Sequence, residues 1–200
     1  MEYLVTMTTR VPDGTPQQAV DEIRAREAAH SAELAAQGSL LRLWRPPLGP
    51  GEWRSLGLFA APDAGQLEAV LASMPLRVWR TDEVTPLSPH PNDPDRPARP
   101  GLPEFLTAFA TTVPDGTPAQ TVEEVEAREA VSAKELAGQG HLLRLWRLPA
   151  GDDQGDALGL WRAADAAEMA AIVESLPLYA WMTVRTTPLT PHPSDPAALR

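Results

Sequence analysis

The chain has 200 residues, 43% of them hydrophobic, which suits two small domains or one medium one. Acidic side chains outnumber basic ones, 27 to 17, for a formal net charge of −10, which disfavours phosphate backbones and anionic membrane surfaces as partners. The absence of cysteine removes disulfides, thiolate chemistry and Cys-ligated metals and fits a reducing cytosol. Residues 1–11 lack the basic and apolar stretches of a signal peptide, and no segment approaches the roughly 20 apolar residues of a membrane span. A cytoplasmic protein is expected.

In chain order, residues 3–9 read as an apolar strand. Pro12-Asp13-Gly14 is turn chemistry. Thr15 as N-cap, Pro16 at the first helical position and Gln18 three residues after the cap predict a capping box. The helix runs through Ala- and Glu-rich sequence to Gly38, a candidate C-cap. Residues 40–45 read as a strand, 46–51 as a Pro/Gly loop and 55–60 as the next strand. Asp63 is placed to cap a second helix over 64–73, which Pro75 ends. Residues 77–87 supply a last strand. The order β-α-β-β-α-β is the ferredoxin-like arrangement.

The same series then repeats. Val11-Pro-Asp-Gly-Thr-Pro16 returns as Val113-Pro-Asp-Gly-Thr-Pro118, and Leu41-Arg-Leu-Trp-Arg45 as Leu143-Arg-Leu-Trp-Arg147. Every pair is offset by 102 with no gap, and about half the positions are identical. Two domain-sized copies make a domain duplication, not a solenoid. The expected fold class is α+β, two ferredoxin-like repeats packed as an intramolecular dimeric α/β barrel. The domain reading is repeat 1 over 1–88, a Pro-rich linker or docking segment over 89–103, and repeat 2 over 104–200. Pro89-His-Pro-Asn-Asp-Pro94 recurs as Pro191-His-Pro-Ser-Asp-Pro196, where no linker is needed. That recurrence favours docking of the segment in each copy.

Glu27 falls near the middle of the first helix's apolar stripe of Val20, Ile23 and Leu34, and Glu129 repeats it beside Val122, Val125 and Leu136. A carboxylate on a core-facing stripe is either ion-paired, with an arginine such as Arg45, or raised in pKa and useful for moving protons. On the strand over 40–45, simple alternation puts Leu41 and Leu43 toward the helices, and Arg42 and Trp44 toward the other sheet. A cation beside an aromatic suits an anionic, partly apolar ligand; the competing reading is Trp packing with Arg stacked on it. The substrate-binding candidates are therefore Arg42, Trp44 and Arg45 in the first copy and Arg144, Trp146 and Arg147 in the second. His90 and His192 match but sit in Pro-rich tails. No metal-ligand spacing, Gly-rich phosphate loop or Ser/His/Asp set is present.

These motifs resemble the muconolactone delta-isomerase family: Ala25-Arg26-Glu27, Gly38 followed by Leu43-Trp44-Arg45, Met74-Pro75-Leu76 and His90-Pro91. The second copy has Ala127-Arg128-Glu129, Gly140 with Leu145-Trp146-Arg147, Leu176-Pro177-Leu178 and His192-Pro193. The resemblance covers nearly all of both copies. It implies a subunit that assembles into homo-oligomers, here through the fused pseudo-dimer. It also implies a proton shift, without cofactor or metal, that moves a double bond in a carboxylated lactone, with Glu27 and Glu129 as acid/base groups. The sequence departs from the family at Arg42 and Arg144, where members usually carry His. It departs again in the turns 49–54 and 151–156, and in being a fusion. Those departures bear on the substrate more than on the fold. The expected function is a cofactor-independent isomerase, or an isomerase or cyclase repurposed in secondary metabolism, acting on a small carboxylated molecule. The rival expectation is a non-catalytic ligand-binding or assembly module, with both glutamates held in ion pairs.

Overall fold

The computed structural model describes residues 1–94, 101–150 and 155–198. The first copy contains β1 (Glu2–Thr9), α1 (Gln17–Ala36), β2 (Leu40–Arg45), β3 (Arg54–Ala60), α2 (Ala64–Ser73), a 3-10 turn (Pro75–Trp79) and β4 (Arg80–Pro89). The second contains β5 (Glu104–Thr111), α3 (Ala119–Gln139), β6 (Leu142–Arg147), β7 (Ala157–Arg162), α4 (Ala166–Glu174), a 3-10 turn (Tyr179–Trp181) and β8 (Met182–Pro191). Each copy is β-α-β-β-α-β, as its pattern predicts. The residues group into two compact units, Met1–Leu87 with Thr190–Arg200, and Ser88–Leu189. Among the described residues no helix is long and apolar enough to cross a membrane.

In unit 1 the antiparallel sheet runs β4-β1-β3-β2, and in unit 2 β8-β5-β7-β6. Each sheet then gains a two-residue edge. Pro191 and Thr190 pair with Trp44 and Arg45 on β2, and Pro89 and Ser88 pair with Trp146 and Arg147 on β6. The tail of each copy thus belongs to the unit built on the other copy. Proline is tolerated on such an edge because it lacks only a ladder donor.

In unit 1, Leu34, Leu67 and Leu71 from the helices pack on Tyr3, Val5, Met7, Leu43 and Phe59 from the strands. Fully burying one such leucine is worth about 1.5–3 kcal/mol. Unit 2 repeats this core with Trp161 in place of Phe59, its ring edge-on to Phe109 at 6.1 Å. Both large rings lie across a glycine: a Cβ on Gly57 would meet the Phe59 ring at 2.4 Å, and one on Gly159 the Trp161 indole at 2.2 Å. Gly38 and Gly140 adopt positive φ of 75° and 89° and close α1 and α3 as Schellman caps. Asp63 accepts the Gln66 N–H at 2.8 Å, capping α2 as expected.

Three local expectations are corrected. The capping boxes do not form: the Thr15 hydroxyl donates to the Pro12 carbonyl at 2.7 Å, and the Gln18 amide reaches Glu22 instead. Pro75 ends α2 but starts the 3-10 turn, so the last strand begins at Arg80. Finally, β2 does not alternate simply. A register shift between Leu40 and Arg42 places Leu40 and Leu43 together in the helix-facing core, and the shift between Leu142 and Arg144 repeats it.

Candidate functional site

A cavity lies at matching places beside the long helix of each unit. In unit 1 the volume is about 190 Å³ and in unit 2 about 570 Å³. Ligand pockets commonly run roughly 300–1,000 Å³, so of these two the second has the size of a site for a medium-sized molecule.

Glu27 and Glu129 line these cavities at matching places. The helix stripe brings each carboxylate to the 3-10 turn after the second helix, whose backbone is free to donate. Leu76 N–H donates to Glu27 Oε2 at 2.8 Å, and Leu178 N–H to Glu129 Oε2 at 3.0 Å. Beyond that shared bond the two differ. Arg80 Nη1 lies 3.2 Å from Glu27 Oε1, and the guanidinium also holds Asp82 at 3.0 Å. The partner expected from sequence was Arg45; it is Arg80, at the start of β4, because the 3-10 turn that leads into that strand packs against α1. At the place of Arg80 the second copy has Met182, and at that of Asp82 it has Val184. Among the described residues Glu129 has no ion pair. Burial pushes both carboxyls above their ordinary 4.5 and outweighs the backbone bond. For Glu27 the Arg80 cation opposes the rise, whereas Glu129 has only the Leu178 N–H against it.

The opposite wall comes from the docked tails, with His192 in unit 1 and His90 in unit 2. Backbone bonds orient both rings: Ser194 N–H donates to His192 Nδ1, and Asn92 N–H to His90 Nδ1, each at 3.1 Å. An accepting Nδ1 leaves the proton on Nε2, so each ring is a neutral donor. Burial, then the neighbouring arginine, holds both below the ordinary 6.5, His192 at about 4. Arg45 and Arg147 line the cavities.

Arg42, Trp44, Arg144 and Trp146 do not line either cavity. They flank Leu43 and Leu145, which enter the helix-facing cores, and so alternate to the other face of β2 and β6. The guanidiniums stack on the indoles at 4.7 and 4.8 Å, as the packing alternative held. Their anion is the chain's own. Asp195, 1% exposed, accepts from Arg42 Nη2 at 3.0 Å and from Leu43 N–H at 3.1 Å. Asp93 accepts from Arg144 Nη2 at 3.2 Å and from Leu145 N–H at 2.9 Å. These pairs latch the tails and so position the histidines.

Sequence reasoning missed His90, His192, Arg80 and Met182. The recurrence of the Pro-His-Pro tail at a terminus was the signal for the histidines. The exchange of Arg80 for Met182 between otherwise matching copies was the signal for the second pair. Of the turn 151–156, residues 151–154 lie outside the described residues, as do 95–100 of the linker; Asp156 lines the unit 2 cavity. Among the described residues no three His, Asp or Glu side chains gather as a metal set.

A family model described as Muconolactone delta-isomerase matches residues 1–93 and 104–195. Muconolactone Delta-isomerase 1 of Acinetobacter lwoffii is 35% identical over 92 residues, 46% of this chain and 93% of the relative. Muconolactone Delta-isomerase of Cupriavidus pinatubonensis is 33% identical over 92 residues, 46% of this chain and 97% of the relative. Among solved structures, a mutant chlorite dismutase from Candidatus Nitrospira defluvii has a TM-score of 0.62 at 13% identity, over 96% of this chain and 92% of that one. A heme-binding protein from Thermus thermophilus scores 0.59 at 14% identity, over 100% of this chain and 94% of that one. At such identities these likenesses speak to the fold alone, and they bear out the fold class read from the duplication. The family matches cover both copies almost end to end: the chain belongs to the muconolactone delta-isomerase family.

Proposed function

We propose that the chain catalyses a cofactor-independent proton shift in an unsaturated carboxylated molecule, a lactone or a related acid, at the unit 2 cavity. The observation that carries this reading is the state of Glu129: half-buried, free of any described cation, and facing a cavity of about 570 Å³. Its carboxylate takes a proton from the γ-carbon of the α,β-unsaturated carbonyl. The electron pair moves onto the carbonyl oxygen as a dienolate, and the same proton returns at a different carbon, so the double bond moves and nothing else is consumed. Arg147 and the Nε2–H of His90 bind the substrate carboxylate and steady the dienolate charge. Leu145, Phe109 and Trp161 supply the apolar wall.

The cavity suits an acid with a sizeable apolar part, which favours an isomerase or cyclase of secondary metabolism over muconolactone turnover in aromatic catabolism. A cytoplasmic homo-oligomer remains the expected setting. The test is ultraviolet-monitored turnover of muconolactone and of larger unsaturated lactone acids. Glu129→Gln is expected to cut kcat by about 10²–10⁴-fold, the usual worth of a general acid/base, with the fold intact by circular dichroism. Undiminished turnover in Glu129→Gln would overturn the assignment. The reading as a ligand-binding module is favoured by one observation only, the Glu27–Arg80 ion pair of unit 1.

A further inference from the structure

The two cavities are built on matching positions, yet their charges differ. Three arginines line the unit 1 cavity: Arg24, Arg45 and Arg80. Its one lining carboxylate, Glu27, is already engaged by Arg80 and by the Leu76 N–H. In the second copy Arg45 is kept as Arg147, but Arg24 becomes Glu126 and Arg80 becomes Met182, and Asp156 joins the lining. Unit 1 is thus cationic where unit 2 is not.

The free cations of unit 1 are well placed. Among the described residues neither Arg24 nor Arg45 is ion-paired. The Arg24 guanidinium lies 4.9 Å from the Trp53 ring centroid, an arrangement that fixes a cation at a cavity mouth. Trp53 itself lines the cavity, and the second copy has Gly155 there. His192 adds a neutral donor from the facing tail, its Nδ1 committed to Ser194. Two guanidiniums and one Nε2–H therefore converge with no acid left to answer them. That donor set recognises carboxylate oxygens.

We infer that the unit 1 cavity is a binding site for a small carboxylate anion, which it holds without transferring a proton to or from it. Both Glu27 oxygens are already engaged, one by Arg80 and one by the Leu76 N–H, so it makes a poor shuttle. A volume of about 190 Å³ limits the ligand to a small mono- or dicarboxylate. The inference borrows the identity of the base from the proposed function; the anion binding stands without it.

The experiment is isothermal titration of the full chain with succinate as probe, at low salt, beside turnover on the same preparations. Wild type is expected to show saturable binding at one site per chain. Arg24→Glu, which copies Glu126 at an exposed position, should weaken it at least tenfold and leave turnover unchanged. Arg45→Ala should weaken it too, whereas Glu129→Gln should abolish turnover and leave succinate binding as it was. No saturable heat in wild type overturns the inference. So does binding that survives Arg24→Glu and Arg45→Ala but is lost in Arg147→Ala, which would put the anion in unit 2. Loss of turnover without loss of succinate binding, or the reverse, tells failure of one reading from failure of the other.

Discussion

A carboxylate half sunk in an apolar wall can serve as a base only while nothing else claims it, and a single side chain decides that in each copy. Arg80 claims Glu27; Met182 leaves Glu129 to the Leu178 N–H and to whatever enters the cavity. Met182→Arg is therefore expected to pair Glu129, lower its pKa, and slow turnover at least about tenfold. The pH–rate profile checks this, since its acid limb should move from above 4.5 in wild type toward lower pH in the variant. Stability follows the opposite course. A carboxyl whose folded pKa is raised stabilises the fold fully below its unfolded value and loses that contribution as pH rises through the folded one. Glu129→Gln should thus melt no lower than wild type at pH 7, with the difference vanishing below pH 4.5. The positions of both glutamates were legible from helical periodicity. Their difference was not, because periodicity says which face a residue occupies and nothing about which strand passes under it.

The decisive element is the tail, a short run that pairs through two residues and is held by one aspartate. Asp195→Ala would leave Arg42, 7% exposed, without that carboxylate, and would cost on the order of 3–5 kcal/mol if the pair behaves as buried pairs do. Chemical denaturation measures it; a loss under 1 kcal/mol would mean the latch is ornamental. The tail also carries an acid-sensitive group. A histidine with a depressed folded pKa contributes stability above its ordinary 6.5 that is lost as pH falls toward about 4. His192→Asn is expected to flatten the melting-temperature curve across that window. The strands and helices of each copy were readable from turn residues, glycine caps and alternation. The bulge in β2 was not, since Leu40, Leu41 and Leu43 look alike in sequence and only pairing with β3 decides which of them goes inward. The partner of Arg42 was not legible either, because Asp195 lies 153 residues away in sequence.

For the chain as a whole, duplication was plain from the offset of 102, and with it the fold. Inequality of the copies was legible in the turns, where the first carries Trp53 and Arg54 and the second acids, but not in the exchange of Arg80 for Met182, which lies among residues the copies share. The count of working sites is open to direct measurement. Glu27→Gln should retain the wild-type rate and Glu129→Gln should lose it, so that activity per chain corresponds to one centre; equal losses from the two would mean both shuttle protons. The tails give the fusion a further meaning. In an assembly of identical chains every substitution is inherited by every site at once. A gene that encodes both copies in one reading frame ends that obligation, and because each cavity takes one wall from the far copy, neither copy can be discarded while the other specialises. Such a chain can drift at Arg80 or Met182 independently, but a single copy would regain a histidine wall only by pairing with a second chain.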